Sequence, residues 1–366
     1  NNIGMVVVGP EDPLVNGLRD FFAADDRLST VLFVGPSAAG ARLEGSKDYA
    51  KEFMLRHSIP TAAYRTFNAE QINEGKEFLK SLRPPYVLKA DGLAGGKGVV
   101  IPNTLKEAET ELEEMLGGKF GKAGNKVVIE EFLQGIEVSV FVLTDGKDYL
   151  ILPQAKDYKR ICDNDMGLNT GGMGAVSPVP FADELFMSKV EERIIKPTVN
   201  GLKEEGIDYH GFIFIGLMNC DGDPYVIEYN VRMGDPETEA VMTRIDSDLL
   251  VHLKAAALGL LKNEKIVISN KTALTVVCVS GGYPQQFKKG YKITLPSDCD
   301  AVIFHSGTAI KDGELVTGGG RVLAVTVNSD SIEYARETVY PIVEKIDYAD
   351  KFYRKDIGKD LLKYLQ

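Results

Sequence analysis

A glycine-rich loop is the first segment of this sequence whose residues could do chemistry. It joins two predicted strands, at 86–89 and 99–101, and its glycines and lysines are Lys89, Gly92, Gly95, Gly96, Lys97 and Gly98. Glycines let backbone amides approach an anion closely, and lysines add positive charge. The loop joins strand to strand and Lys97 is followed by glycine, so it is neither a Walker A loop nor a dinucleotide-binding fingerprint. The pattern predicts a phosphate-binding hairpin, and the alternative is a flexible surface hairpin.

A later predicted strand carries polar residues that suit a metal ion. Glu228, Asn230 and Arg232 alternate with apolar residues, so a strand places these three side chains on one face. A carboxylate and an amide oxygen suit an octahedral Mg²⁺ ion that keeps waters and bridges nucleotide phosphates. The Arg232 guanidinium could stabilise charge on a transferring phosphoryl group. The alternative is a solvated strand face, because such alternation is common.

Three further polar segments could complete a nucleotide site. An apolar strand runs into a short hinge that could offer backbone groups to an adenine edge and a carboxylate to ribose; its residues are Glu130, Glu131, Phe132, Leu133 and Glu137. A second segment clusters cations beside a carboxylate, with Asp157, Lys159 and Arg160. A third, at 169–174, is another glycine-rich loop. Taken alone, the hinge is more typical of an edge strand with a charged end than of an adenine site.

The elements that must position these residues follow from the spacing of apolar residues. Apolar runs at 5–8 and 31–34, separated by a helical pattern at 14–22, predict part of a parallel sheet. The remaining predicted helices lie at 46–57, 69–82, 104–116, 188–205, 246–259 and 331–346. The remaining predicted strands lie at 126–133, 136–143, 211–219, 224–232, 274–279, 291–295, 301–305 and 321–327. The segment 157–180, rich in Gly and Asn, is predicted to be a long ordered loop.

Composition narrows the classes of protein. A length of 366 residues predicts two or three domains. With 42 Lys and Arg against 53 Asp and Glu, the net charge is −11, which argues against general nucleic-acid binding. The 4 cysteines form no CxxC pair, so a zinc site or a disulfide framework is not expected. No apolar run reaches the ~20 residues of a membrane helix, and without a targeting signal we expect a cytoplasmic protein.

The order of these parts resembles that of the ATP-grasp superfamily, and the closer resemblance is to the phosphoribosylamine–glycine ligases. It rests on Leu43-Glu44-Gly45-Ser46-Lys47, Lys89-Ala90-Asp91-Gly92-Leu93-Ala94, Asn169-Thr170-Gly171-Gly172-Met173-Gly174-Ala175 and Arg232-Met233-Gly234-Asp235-Pro236-Glu237-Thr238. The resemblance extends over nearly the whole chain. Met233 stands where the family more often has Phe or Leu, a difference that we expect to affect packing only.

The resemblance implies a multidomain α/β and α+β fold. We expect a partial N-terminal parallel-sheet lobe at 1–45, an ATP-grasp domain at 46–265 with a glycine-rich lid subdomain at about 86–135, and a small C-terminal α+β domain at 266–366. The family opens with a strand and a glycine-rich loop that this sequence does not contain. We therefore expect part of the phosphoribosylamine site to be formed by residues that this sequence does not include.

The resemblance also implies an activity and residue roles. The activity is ATP-dependent ligation of glycine to 5-phosphoribosylamine through a glycyl phosphate, by a monomer that acts in purine biosynthesis. Lys47 and Lys89 would hold ATP phosphates beneath the loop from Gly92 to Gly98. The hinge from Glu130 to Leu133 would contact adenine, Glu137 the ribose, and Glu228 and Asn230 a magnesium or manganese ion. The residues expected around the acceptor are Asp157, Lys159, Arg160, Arg232 and Asp235.

Two alternative functions remain open from the sequence. One is another ATP-grasp carboxylate–amine ligase, against which the Gly-Asp-Pro-Glu stretch and the Gly-Gly-Met-Gly loop argue. The other is a nucleotide-binding module without turnover, against which Glu228, Asn230 and Lys89 argue, since binding alone does not need a full set of metal ligands and cations.

Overall fold

The computed structural model describes residues 2–94 and 98–365. Its α-helices are α1 (Glu11–Val15), α2 (Leu18–Ala24), α3 (Ala38–Gly45), α4 (Lys47–Arg56), α5 (Ile72–Ser81), α6 (Leu105–Glu114), α7 (Glu184–Val190), α8 (Lys196–Glu204), α9 (Glu237–Val241), α10 (Leu249–Leu258) and α11 (Ile332–Lys345). A π-helical turn at Glu191–Ile195 joins α7 to α8, so the helix predicted at 188–205 exists and begins earlier. The single helix predicted at 14–22 is two helices, because Gly17 between them has a φ of +81°.

The strands assemble into several separate sheets. They are β1 (Met5–Val7), β2 (Leu32–Val34), β3 (Tyr64–Asn68), β4 (Val87–Ala90), β5 (Val99–Val100), β6 (Lys126–Glu130), β7 (Ile136–Thr144), β8 (Tyr149–Ile151), β9 (Lys156–Asp157), β10 (Arg160–Cys162), β11 (Met166–Asn169), β12 (Gly174–Ser177), β13 (Gly211–Cys220), β14 (Asp223–Asn230), β15 (Thr272–Ser280), β16 (Val302–His305), β17 (Thr308–Lys311), β18 (Glu314–Thr317), β19 (Arg321–Ser329) and β20 (Lys351–Phe352). At the N-terminal end, β1 and β2 pair in parallel, as their apolar sequences predict.

Two antiparallel four-stranded sheets form the centre of the molecule. The first has the order β3-β6-β4-β5, and α5 and α6 pack on it around a buried core. Thr104 begins α6 with the predicted capping box: its side chain accepts from the Glu107 amide, and the Glu107 carboxylate accepts from the Thr104 amide. The second sheet has the order β14-β13-β7-β8. The β13–β14 turn has positive φ at Asp221 and Gly222, as a tight hairpin requires.

The C-terminal sheet has the order β16-β19-β15-β12-β9, with β20 beside β15, and α11 packs against it. The prediction of a loop over 157–180 is wrong, because this segment contains most of β9 to β12. It was missed because β12 is Gly-Ala-Val-Ser and is buried throughout, so it shows neither alternation nor bulky β-branched residues. The predicted strand at 291–295 is absent; Lys292 and Thr294 make only isolated bridges.

Within the described residues, none of the helices combines the length and apolar character needed to cross a membrane.

Candidate active site

Two lysines lie where the two central sheets face each other, Lys89 buried and Lys47 partly buried. Lys89 lies on β4, and its Nζ donates to the backbone oxygen of Ile227 on β14 at 3.0 Å. Lys47 is the first residue of α4, and its Nζ donates to the backbone oxygen of Gly92 at 3.3 Å. Burial lowers the pKa of Lys47, against an opposing attraction from Glu228. The glycine-rich loop, which follows β4, therefore begins between two cations.

The start of the glycine-rich loop is fixed to the first turn of α4. Ser46 caps this helix by accepting from the Tyr49 amide, and its hydroxyl donates to Asp91 Oδ1 at 2.9 Å. The same Asp91 oxygen accepts from the Asp48 amide at 2.8 Å. A carboxylate at a helix N-terminus is stabilised by the unpaired amides there. Gly92 follows in a tight place, because a Cβ at this position would lie 3.0 Å from the backbone of Ala123.

The metal-binding pair predicted on β14 lies beside these lysines. The Asn230 amide donates to Glu228 Oε1 at 3.5 Å, and Asn230 Oδ1 accepts from Arg232 Nη2 at 3.2 Å. Arg232 also donates to Glu44 Oε1 at 2.8 Å, and the Val231 amide donates to Glu44 Oε2 at 2.8 Å. Glu44 was not predicted, although it lies in the Leu-Glu-Gly-Ser-Lys stretch. It holds Arg232 and the end of β14 in place.

This donor set fits a hard divalent cation. Glu228 and Asn230 offer a carboxylate and an amide oxygen, and residues 2–94 and 98–365 contain no group of three or more His, Cys, Asp or Glu that could hold a metal ion. Zinc sites normally use three or four protein ligands. Magnesium accepts one or two carboxylate-type ligands and completes its shell with waters and phosphates. The two residues therefore suit Mg²⁺ or Mn²⁺.

The predicted adenine hinge follows β6. Glu130 is buried, while the Phe132 side chain is exposed. Glu131 is tied to the segment that leads into β3: its amide donates to the Ala63 oxygen at 2.9 Å, and its Oε1 accepts from the Ala63 amide at 2.8 Å. The Glu131 side chain therefore fixes the hinge instead of facing the site. Leu133 is partly buried at the same turn.

The predicted ribose and acceptor residues are only partly brought together. Lys159 Nζ lies 2.6 Å from Glu137 Oε2 and 3.5 Å from Asp157 Oδ1. Lys159 lowers the pKa of Glu137. Although desolvation opposes it, the two carboxylates raise the pKa of Lys159. Arg160, the next residue, points elsewhere and donates to the backbone oxygen of Gly167 at 2.9 Å.

A buried carboxylic acid lies beneath this cluster. Glu237 Oε1 accepts from the Ser139 hydroxyl at 3.1 Å. Desolvation, followed by the nearby charge of Asp157, raises the pKa of Glu237 to about 8. A Cβ at Gly234 would lie 2.5 Å from the Glu237 carboxylate, so a larger residue there would displace this side chain. The last residue of the Gly-Asp-Pro-Glu stretch, Glu237, is therefore a buried carboxylic acid.

The C-terminal sheet supplies a residue that holds two loops of the site together. Arg321, the first residue of β19, forms a two-pronged pair with Asp235, with distances of 2.8 and 2.7 Å. The same guanidinium donates to the Gly171 oxygen at 2.6 Å. It thereby links the Gly-Gly-Met-Gly loop to the Gly-Asp-Pro-Glu stretch. Nothing in the sequence near Arg321 signals this role, because the three segments are far apart along the chain.

A third unpredicted residue is Lys51, which lies one helical turn after Lys47 and is buried against Glu130. Its position four residues after Lys47 was a usable signal, because such residues share a helix face. Gly95, Gly96 and Lys97 lie outside the described residues, so their predicted contacts with phosphate stay predictions.

Comparison with known proteins assigns the chain along its whole length. Models of the N domain, the ATP-grasp (A) domain and the C domain of phosphoribosylglycinamide synthetase match residues 1–44, 45–238 and 273–360. The phosphoribosylamine–glycine ligase of Pseudomonas aeruginosa is 44% identical over 362 residues, which are 98% of this chain and 83% of that protein. The bifunctional purine biosynthetic protein ADE1 of Schizosaccharomyces pombe is 46% identical, and the alignment covers 99% of this chain but only 45% of that protein.

Solved structures agree with this assignment. The crystal structure of phosphoribosylamine–glycine ligase from Thermotoga maritima has a TM-score of 0.84 and 41% identity, covering 92% of this chain and 84% of that one. A biotin carboxylase domain from Hydrogenobacter thermophilus, solved with MgADP, has a TM-score of 0.71 at 17% identity, covering 99% of this chain and 83% of that one, and supports the fold alone. The family and the ATP-grasp fold expected from sequence are confirmed. The chain belongs to the phosphoribosylglycinamide synthetase family.

Proposed function

We propose that this chain joins glycine to 5-phosphoribosylamine with ATP, giving glycinamide ribonucleotide, ADP and phosphate. The observation that carries the proposal is the convergence of Lys47 and Lys89 with Glu228, Asn230 and Arg232 between two antiparallel sheets. Cations for phosphate, oxygen ligands for a metal and a guanidinium for developing charge then lie in one place. Family membership supports the same conclusion.

The chemistry explains why such a site is needed. A glycine carboxylate is a poor acyl donor, because attack by an amine would have to expel oxide. Transfer of the ATP γ-phosphoryl group to one carboxylate oxygen makes a glycyl phosphate, whose leaving group is phosphate. The amine of phosphoribosylamine then attacks the carbonyl carbon, an amide bond forms, and phosphate leaves with that carboxylate oxygen. Catalysis therefore depends mainly on positioning and on neutralising phosphoryl charge.

Each part of the site has a proposed role in this scheme. Lys47 and Lys89 hold ATP phosphates, and the loop from Gly92 to Gly98 covers them and excludes water, which would hydrolyse the glycyl phosphate. Glu228 and Asn230 bind Mg²⁺ or Mn²⁺, which when bound would neutralise phosphate charge. Arg232 stabilises the transferring phosphoryl group.

The remaining residues are assigned to the base, the sugar and the acceptor. The hinge from Glu130 to Leu133 contacts adenine through backbone groups, and Glu137 holds the ribose hydroxyls. The residues proposed around the acceptor are Asp157, Lys159, Arg160 and Asp235. Arg160 is the least supported of these, because its side chain is engaged with Gly167.

We further propose a monomer that acts in the cytoplasm on small molecules, without nucleic-acid or membrane partners. The net charge of −11 supports the exclusion of nucleic acid. Size-exclusion chromatography with light scattering measures the oligomeric state directly.

An ADP-release assay tests the proposal. ADP should form only when glycine and phosphoribosylamine are both present, and replacing glycine with alanine, aspartate or bicarbonate should abolish the stimulation. Release with a different carboxylate would indicate another carboxylate–amine ligase. Tight ATP binding without release under any condition would indicate a binding module.

A further inference from the structure

Three charged side chains are buried together behind the proposed nucleotide site. Glu130 Oε2 lies 3.1 Å from Lys51 Nζ, and Glu130 Oε1 lies 3.0 Å from Lys89 Nζ. Their side chains are 4%, 2% and 4% exposed, respectively. They come from three different elements: β6, α4 and β4. The proposed mechanism uses Lys89 and Glu130 but gives Lys51 no role.

Burying the ammonium group of Lys51 costs free energy, and the other buried residues near it on α4 are mostly apolar. Its neighbours on α4, Ala50, Phe53 and Met54, are buried and apolar. Burial lowers the pKa of the Lys51 ammonium group to about 8, although Glu130 attracts the proton. Removing an ammonium group from water costs several kcal/mol, which a paired carboxylate offsets only in part. An apolar side chain would avoid that cost only if Glu130 were replaced as well, because Glu130 Oε2 would otherwise lose its buried partner.

The contacts of Lys51 show that it does not face a ligand itself. Its Nζ lies 2.7 Å from Thr61 Oγ1, 3.5 Å from the Ala62 oxygen and 3.1 Å from Glu130 Oε2. Two of the three N–H donors of its ammonium group are therefore used in hydrogen bonds to Thr61 and Ala62, and its contact with Glu130 is an ion pair. Thr61 in turn donates to the Val226 oxygen on β14 at 2.7 Å. Lys51 is therefore held rigidly between α4 and the second central sheet.

Lys89 is held differently. Within the described part of the chain it makes one hydrogen bond, to Ile227, beside its ion pair with Glu130. Glu130 Oε1 lies close to Lys89 Nζ but accepts no hydrogen bond with acceptable geometry in that part. Lys89 thus keeps a donor for a further partner, and its link to Glu130 is ionic and not directional.

The charges explain why a second lysine is useful. Glu130 and Lys89 alone would form a neutral pair, and a nucleotide phosphate would have to compete with Glu130 for the ammonium group. With Lys51 present, the cluster carries a net charge of about +1 at neutral pH. In a buried site the charge of Lys51 is weakly screened and acts strongly on Glu130.

We propose that Lys51 is a positioning residue that binds Glu130 and thereby leaves the charge of Lys89 available to the nucleotide phosphates. This inference rests on the proposed function, because it needs Lys89 to bind phosphate. It predicts that Lys51 acts on the phosphate part of the nucleotide and not on the base. It also predicts that the effect depends on the charge of Glu130.

Binding of ADP and of adenosine to the full chain in the presence of Mg²⁺ tests the proposal. In Lys51→Met, which keeps the length of the side chain, ADP affinity should fall by about tenfold or more, as expected for loss of one net charge beside a phosphate. Adenosine affinity should stay within about twofold of wild type. In the double variant Lys51→Met with Glu130→Gln, Lys89 has no carboxylate to neutralise it, and ADP affinity should return toward wild type.

The alternative is that Lys51 only supports the fold. Equal losses for ADP and adenosine in Lys51→Met, or a double variant that binds ADP no better than the single one, would overturn the proposal. Wild-type-like ADP affinity in Lys51→Met would also overturn it, while leaving the proposed function intact. A wild-type chain that binds neither ADP nor ATP would refute the proposed function and this inference with it. Circular dichroism and thermal unfolding identify a variant that has failed to fold, and Lys51→Leu then provides the second apolar replacement for the same comparison.

Discussion

Replacing Arg321 with methionine should impair use of the acceptor more than use of ATP. The Arg321 guanidinium pairs with both oxygens of Asp235 and also donates to the Gly171 oxygen. Methionine has a similar length but no donors, so the substitution separates the Gly-Gly-Met-Gly loop from the Gly-Asp-Pro-Glu stretch. Asp235, in the second of these segments, is proposed to lie beside the acceptor, and neither segment contacts Lys47 or Lys89 among the described contacts.

The free energy lost in Arg321→Met can be estimated from how exposed Arg321 and its two partners are. Asp235 is 58% exposed and Arg321 is 22% exposed, so solvent screening limits the ion pair itself to about 1 kcal/mol or less. The bond to the Gly171 oxygen has a charged donor but lies at the exposed surface, so it contributes about 1 kcal/mol. Together they amount to about 2 kcal/mol. If this free energy orders the acceptor site, kcat/KM for phosphoribosylamine should fall about thirtyfold.

Steady-state kinetics with each substrate varied in turn measures this effect. KM for ATP should stay within about twofold in Arg321→Met, and Arg321→Lys should be intermediate, because lysine keeps the charge but loses the planar fork. Arg27→Met is the matched control, since Arg27 pairs with Asp25 at the exposed surface, in the N-terminal part of the chain. Unchanged acceptor kinetics in Arg321→Met, or equal losses for ATP and acceptor, would refute the reasoning.

Three further predictions concern the metal pair, a buried acid and a helix cap. Glu228→Gln and Asn230→Ala should each abolish ligation at saturating Mg²⁺ while the chain stays folded, because each removes several kcal/mol of phosphoryl-charge stabilisation. Wild-type-like turnover in either variant would contradict the assignment of these two residues as metal ligands. Burial raises the pKa of Glu237 to about 8, so the folded state holds a proton that the unfolded state releases near pH 4.5, and stability is lost as pH rises through 8. Glu237→Gln should remove this loss, which is on the order of 5 kcal/mol for a pKa that rises from 4.5 to about 8, and parallel pH–stability curves from denaturant unfolding would contradict it. Ser46→Ala should lower the unfolding free energy by about 1 kcal/mol through loss of the α4 cap. It should also raise KM for ATP, because Ser46 holds the start of the glycine-rich loop. No change in either quantity would show that the cap does not position the loop.

Much of the fold could be predicted because local signals agreed with the tertiary structure. The capping box at Thr104, the hairpin turn at 220–223 and the apolar runs of β1 and β2 all lie where their patterns placed them. The strands within 157–180 could not be predicted. The longest-range case is β12, which is short, rich in small residues and stabilised by pairing with β15, about a hundred residues later in the chain. Pairing of this kind leaves no periodicity in the strand itself.

The residues of the candidate site also fall into two groups, those that the sequence identified and those that only the structure revealed. Lys89, Glu228 and Asn230 belong to motifs whose residues are close in sequence, so their spacing and the family resemblance identified them. Glu44 and Arg321 act through contacts between distant segments and could be found only in the structure. Asp157 and Lys159 were predicted as a cluster, but their third partner is Glu137, which had been assigned to the ribose.

Isotope transfer from glycine to phosphate tests the central claim most directly. Glycine labelled with ¹⁸O in both carboxylate oxygens should give up one labelled oxygen to each phosphate released, because that oxygen bonds to the γ-phosphorus in the glycyl phosphate and leaves with it. Mass spectrometry of the phosphate and of the amide product should show this one-to-one transfer only when ATP and phosphoribosylamine are both present. Unlabelled phosphate, or phosphate formed without amide, would contradict ligation through a glycyl phosphate.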